Sequence, residues 1–109
     1  MTSNNIKYVD NTEILNEKRK MNAYALIEDM EKDSIVQDID DKNRFAVRST
    51  KKGSYYEVMF LNAGKFCSCI DFTMNTDKEG FQCKHIFAIE ILKEENKRIQ
   101  KGVLNIWVN

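Results

Sequence analysis

Proline is absent from the 109 residues, glycine occurs four times, cysteine three times, and histidine and tryptophan once each. No Pro- or Gly-rich linker divides the chain, and neither an internal repeat nor a low-complexity segment interrupts it. The longest apolar run is five residues, Ala23 to Ile27. A membrane span needs roughly 20, so a transmembrane helix is excluded. Charge of one sign is also missing: 17 Lys+Arg balance 17 Asp+Glu. The strongly basic balance of a protein that coats nucleic acid is therefore not found. The first ten residues, MTSNNIKYVD, lack the basic and apolar regions of a secretion signal, which leads to the expectation of a cytoplasmic protein, or a nuclear one if the source is eukaryotic. Three cysteines cannot all pair, and a reducing cytosol disfavours structural disulfides.

The residues present suit one folded domain with a modest core, at 42% hydrophobic and 31% charged. The zero net charge conceals a division. Residues 1–43 carry 6 basic and 10 acidic side chains, whereas residues 44–109 carry 11 basic and 7 acidic ones. A basic face on the second part is compatible with that division.

Hydrophobic periodicity predicts a helix from Asp10 to about Lys32, with Asp10 as N-cap, Glu13 three residues on, and a weakly amphipathic middle at Glu17–Lys20 where a break is expected. Ala23, Leu26, Ile27 and Met30 mark its apolar face, which is expected to pack on the domain's own sheet. From Ser34 the period changes to two. A strand over 34–40, a hairpin of Arg44–Thr50 with Ser54–Leu61, and a short strand over Lys65–Ser68 follow. Pairing across a loop of Lys51-Lys52 sets Val47 opposite Tyr56 and Phe45 opposite Val58, and parity leaves Arg44, Arg48, Tyr55 and Glu57 on the other face even if the loop is two residues wider. A second helix is predicted from Cys83 to about Arg98, with Gly102 as a candidate stop, and the Trp107 tail alternates weakly, as an edge strand or a docking segment would. The fold class expected is α+β: an N-terminal helix, a three- to four-stranded antiparallel sheet, and a C-terminal helix packed on it. Residues 1–33 form tail and helix, 34–99 the domain proper, and 100–109 a tail.

All three cysteines and the only histidine fall within 19 residues, as C-x-C-x13-C-x-H at Cys67, Cys69, Cys83 and His85. Two close pairs of sulfur and nitrogen donors are what a tetrahedral Zn2+ site requires. Cys67 and Cys69, two apart on a strand, would present both thiolates on one face. Cys83 and His85 diverge inside a regular helix, so they are expected at a helix start, Cys83 in the preceding turn and His85 in the first turn. The alternative is three buried thiols and a core histidine. Four ligands close the coordination sphere, which favours a structural ion over a catalytic one. Asp77 and Glu79 in the loop read as solvated charges rather than general bases. An iron–sulfur cluster on the same donor set and a Cys–His nucleophilic pair are the weaker readings.

This pattern resembles the SWIM zinc finger. Cys67-Ser68-Cys69-Ile70-Asp71-Phe72 is similar to that family's first knuckle, and Gln82-Cys83-Lys84-His85-Ile86-Phe87-Ala88-Ile89 to its C-K-H followed by an apolar helix. Ile70 and Gln82 stand where many members have proline. The resemblance implies a β-β-α zinc module with one structural Zn2+, not an enzyme, that binds DNA or other nucleic acid in recombination, transposition or transcription. It equally implies, as the alternative, an adaptor for a RecA/Rad51-type or other DNA-processing protein.

The candidate nucleic-acid face comprises Arg44, Arg48, Lys51, Lys52 and Tyr55 on the hairpin, with Lys84, and with Lys65, beside the metal. Arginine and lysine suit DNA or RNA phosphates, and a tyrosine suits base stacking. The bland reading is a solvated hairpin with edge-protecting lysines. The N-terminal helix and the Trp107 tail are the candidate protein-docking elements, and no membrane partner is expected.

Overall fold

In the computed structural model, which describes residues 11–30, 34–49 and 53–104, the alternating segments form strands β1 (Ile35–Asp38), β2 (Arg44–Arg48), β3 (Tyr55–Leu61) and β4 (Gly64–Cys67). They lie between helix α1 (Thr12–Asp29) and the pair α2 (Ile70–Thr73) and α3 (Lys84–Glu94), with strand β5 (Gln100–Gly102) last. The hairpin register is the expected one: Val47 pairs Tyr56 and Phe45 pairs Val58. Val36 to Asp38 pair in parallel with β5, so the sheet has five strands in the order β4-β3-β2-β1-β5 and is mixed rather than purely antiparallel. Sequence alternation missed β5 because three residues are too few to establish a period of two. Trp107 and Lys51–Lys52 lie outside the described residues.

The sheet buries one face beneath α3. Phe45, Val47 and Val58 form a single buried cluster with Ile86, Ile89, Ile91 and Leu92 of α3 and with all three cysteines. Each large apolar side chain there contributes about 1.5–3 kcal/mol by its removal from water. Lys93 lies over the rings of Phe60 and Phe45, 4.3 and 4.9 Å from their centroids, with its ammonium at the border of the cluster.

Helix α1 packs chiefly on α3 rather than on the sheet. Ala23 is fully buried, and Leu15, Leu26, Ile27 and Met30 lie against the core. The apolar face of α1 is thus used inside the domain. The break expected at Glu17–Lys20 does not occur, because this stretch makes polar tertiary contacts instead of apolar ones. Asn16 and Arg19 are half-buried there. Asn11 occupies the N-cap position without a side-chain capping bond, and the expected cap Asp10 is outside the described residues.

The end of α3 also differs from expectation. The helix stops at Glu94, not near Arg98, and Gly102 belongs to β5. Asn96 adopts φ 53°, and the N–H groups of Lys97 and Asn96 donate to the carbonyls of Leu92 and Lys93 at 2.9 and 3.1 Å. This is a Schellman ending with asparagine, the second-choice residue, in the left-handed position. No helix among the described residues is long and apolar enough to cross a membrane.

Candidate metal centre

The donor atoms of Cys67, Cys69, Cys83 and His85 lie within 4.8 Å of one another, and all four residues are buried. His85 Nδ1 is 3.6 Å from the Cys67 sulfur and 3.8 Å from the Cys83 sulfur. In a regular tetrahedron around zinc a sulfur and a nitrogen stand about 3.6 Å apart and two sulfurs about 3.8 Å apart, given ordinary bond lengths. The donor set therefore fits a tetrahedral ion in type, and the two sulfur–nitrogen distances are close to those such an ion requires. No disulfide competes for the thiols.

Each ligand is placed by a different local device. Cys67 is the last residue of β4, its backbone paired with Val58. Ser68 then ends the ladder: its N–H donates to the Glu57 carbonyl at 2.9 Å, while its hydroxyl accepts the Glu57 N–H at 2.9 Å. Because a side chain takes that last bond, the main chain is released from the sheet. Cys69 consequently does not continue the strand, as its spacing from Cys67 had suggested. It is the N-cap of α2, and its sulfur accepts the Phe72 N–H at 3.3 Å. Replacing Ser68 by alanine strands the part-buried Glu57 N–H and is expected to cost about 1–3 kcal/mol. Urea unfolding of the two forms measures that loss, and an unchanged midpoint contradicts the assigned role.

The second pair behaves as its spacing demands. Cys83 is the N-cap of α3, and His85 lies in the first turn. The Tyr56 ring stacks on the His85 imidazole with centroids 4.5 Å apart and planes inclined by 32°. Gly80, at φ +80°, turns the connecting loop back toward α3 in a conformation that L side chains rarely adopt.

Hydrogen bonding with Cys67 and then Cys83 holds the Cys69 thiol far below its ordinary range. Its bonds with Cys69 and Cys83, followed by burial, hold Cys67 far above that range. One sulfur of the cluster is thus favoured as thiolate, the form in which cysteine ligates metal.

The residues proposed from sequence for nucleic acid do not all converge. Arg48 and Tyr55 are directly paired across the hairpin. The Arg48 guanidinium donates to the Tyr55 hydroxyl at 3.4 Å and lies 5.9 Å from the ring centroid. Arg44 shares their sheet face but is engaged: it donates to Glu57, to Asp38 at 3.1 Å and to the Leu104 carbonyl at 3.5 Å. Lys84 is exposed at the start of α3, on the opposite face of the sheet. Lys65 ties β4 to Gln82, at 2.7 Å, and to Glu90 of α3. Asp77 and Glu79 are exposed loop residues.

Sequence spacing gave no sign of the polar residues that surround the centre from α1. Arg19 binds Asp71 bidentately, at 2.9 and 3.0 Å, and Asn16 binds the backbone at Gly80 and Gln82. These partners are separated by more than 50 residues, so no local pattern could reveal them.

Comparison of the chain with curated proteins and with solved structures returned no match. Residues 56–94 match the sequence model of the SWIM zinc finger. That segment begins at the tyrosine stacked on His85 and ends with the last residue of α3, so it contains all four donors. The donor geometry and the match agree: the segment 56–94 is similar to the SWIM zinc finger, and Cys67, Cys69, Cys83 and His85 fit its C-x-C-x(n)-C-x-H pattern as a candidate metal-binding cluster.

Proposed function

We propose that this SWIM module holds one structural Zn2+ on Cys67, Cys69, Cys83 and His85, and acts without catalysis as a nucleic-acid binder in DNA transactions. The observation that carries the metal assignment is the convergence of four buried donors within 4.8 Å of one another. Four protein ligands leave no open position for substrate or water. A bound ion supplies a cross-link between the end of β4, the start of α2 and the start of α3, which deliver the ligands. Those residues then hold the knuckle against the sheet, while exposed side chains elsewhere meet the partner.

The binding reading is supported by the exposed Arg48 lying over the half-buried ring of Tyr55, a cation and an aromatic surface side by side. Such a pair suits phosphate contact and base stacking. Lys51 and Lys52 follow Arg48 closely in the sequence, whereas Lys84 lies on the other face of the sheet and is not part of this set. Arg44 lies on the same sheet face, held by its ion pairs with Asp38 and Glu57.

The test is fluorescence anisotropy of zinc-loaded protein with labelled single-stranded and duplex DNA at low and physiological salt. Salt-dependent binding is expected, and Arg48→Glu is expected to weaken it and to lower the salt slope by about one or more. No binding at low salt by a zinc-loaded chain rejects the nucleic-acid reading. The adaptor alternative would then lead, favoured by the exposed apolar side chains Ile14 and Met21 on α1 and Ile70 and Met74 by the knuckle, each more than 65% exposed. Loss of partner capture on removal of the Trp107 tail would localise that contact.

A further inference from the structure

We infer that α1, which lies wholly outside the matched SWIM segment, is a working part of the zinc site, with Asn16 and Arg19 as positioning residues for two of its ligands. The inference rests on the zinc reading above and adds residues to it. Asn16 makes two opposed backbone bonds to the loop between the ligand pairs. Its side-chain oxygen accepts the Gln82 N–H at 2.9 Å, and its amide nitrogen donates to the Gly80 carbonyl at 2.8 Å. Gln82 immediately precedes Cys83, so the first of these bonds fixes the main chain at the point where that ligand enters α3.

Arg19 acts on the other pair. Its guanidinium grips both oxygens of Asp71, two residues beyond Cys69, and it also lies 5.8 Å from the centroid of the Phe81 ring. Asp71 oxygens further receive the Asn75 amide, both at the backbone (2.7 Å) and at the side chain (3.5 Å), which braces the knuckle after α2. Arg19 and Asn22 line the cleft that reaches Cys69, Cys83 and His85. One helix therefore contacts the chain beside a ligand from each pair and lines the cleft next to the centre.

Docking of α1 and retention of zinc should consequently favour one another, since any coupling between two equilibria is reciprocal. Groups that orient metal ligands typically change metal affinity by about 10–100-fold when removed. The measurement is zinc affinity by competition with a chromophoric chelator, made on the full chain and on Asn16→Ala, Asn16→Asp, Arg19→Ala and Ile27→Ala. The alanine forms at 16 and 19 are expected to bind zinc about 10–100-fold more weakly. Asn16→Asp keeps the acceptor for Gln82 and should fall between. Ile27→Ala removes packing of α1 without touching the loop, and should lower melting temperature with a much smaller change in zinc affinity.

Hydrogen exchange gives the reciprocal readout: amides of α1 should lose protection when zinc is stripped. Unaltered affinity in Asn16→Ala and Arg19→Ala overturns the inference, and so does an equal loss in Ile27→Ala, which would mark a general stability effect. A full chain that takes up no zinc overturns the metal reading itself, and that result is visible before any variant is compared.

Discussion

Cys83→Ser is expected to leave the chain without zinc and without a stable knuckle. Cys83 is fully buried, caps α3, and stands 3.8 Å from His85 Nδ1. Serine preserves the size of the side chain but removes a thiolate, the ligand that contributes most to a site of this kind. A structural zinc contributes about 10–16 kcal/mol in small zinc-finger peptides at neutral pH. The whole stability of a domain is only about 5–15 kcal/mol. The loss of the ion therefore outweighs what the remaining core of sheet and α3 can offset. The expected results are zinc content near zero and a large fall in melting temperature, with His85→Ala behaving alike. A full complement of zinc and an unchanged melting temperature in both variants would reject the ligand assignment.

Arg44→Ala is expected to destabilise the fold strongly at neutral pH and much less in acid. Arg44 sits between Glu57 on β3 and Asp38 at the end of β1, all three with low side-chain exposure. Removing the guanidinium leaves two carboxylates near one another with no counter-charge between them. The sign of the pH effect follows from Asp38, whose pKa is lowered by the Asp40 backbone N–H first and by Arg44 as well. A carboxyl lowered on folding stabilises the native state above its unfolded pKa and loses that contribution as pH falls through the folded value. The difference between the original protein and Arg44→Ala should therefore be greatest near pH 7 and shrink below about pH 4 as Asp38 takes up its proton. Thermal melts across that range measure it. A difference independent of pH would contradict an electrostatic role, and a loss of DNA affinity without loss of stability would return Arg44 to the binding surface.

The parts of the fold that could be read in advance are those governed by local pattern. Alternation fixes which face Val47 and Tyr56 share, and a two-residue loop at Lys51-Lys52 fixes them as partners. The spacing of Cys83 and His85 placed them at a helix start, since two residues apart within a helix they would diverge. The same reasoning failed for Cys69. A strand would have aligned it with Cys67, but the Ser68 hydroxyl takes over the last ladder bond and the chain turns away into α2. Nothing in the residue pattern signals that a serine side chain replaces a backbone partner.

The polar middle of α1 was misleading for a related reason. Hydrophobic periodicity registers apolar contacts only, whereas Asn16 and Arg19 make their tertiary contacts through hydrogen bonds. The basic face was legible as composition but not as geometry. Arg44 and Arg48 share a parity, yet one is held by carboxylates and the other lies over Tyr55. The helical stop at Asn96 carries no strong sequence signal, because asparagine takes the left-handed position less often than glycine does.

Native mass spectrometry of the purified full chain, compared with the chain after chelation and with Cys83→Ser, tests the central claim most directly. One zinc ion per chain, absent from both comparison samples and accompanied by a narrower charge-state distribution, is the predicted result. A metal-free full chain with the same compact distribution and the same melting temperature before and after chelation would contradict it.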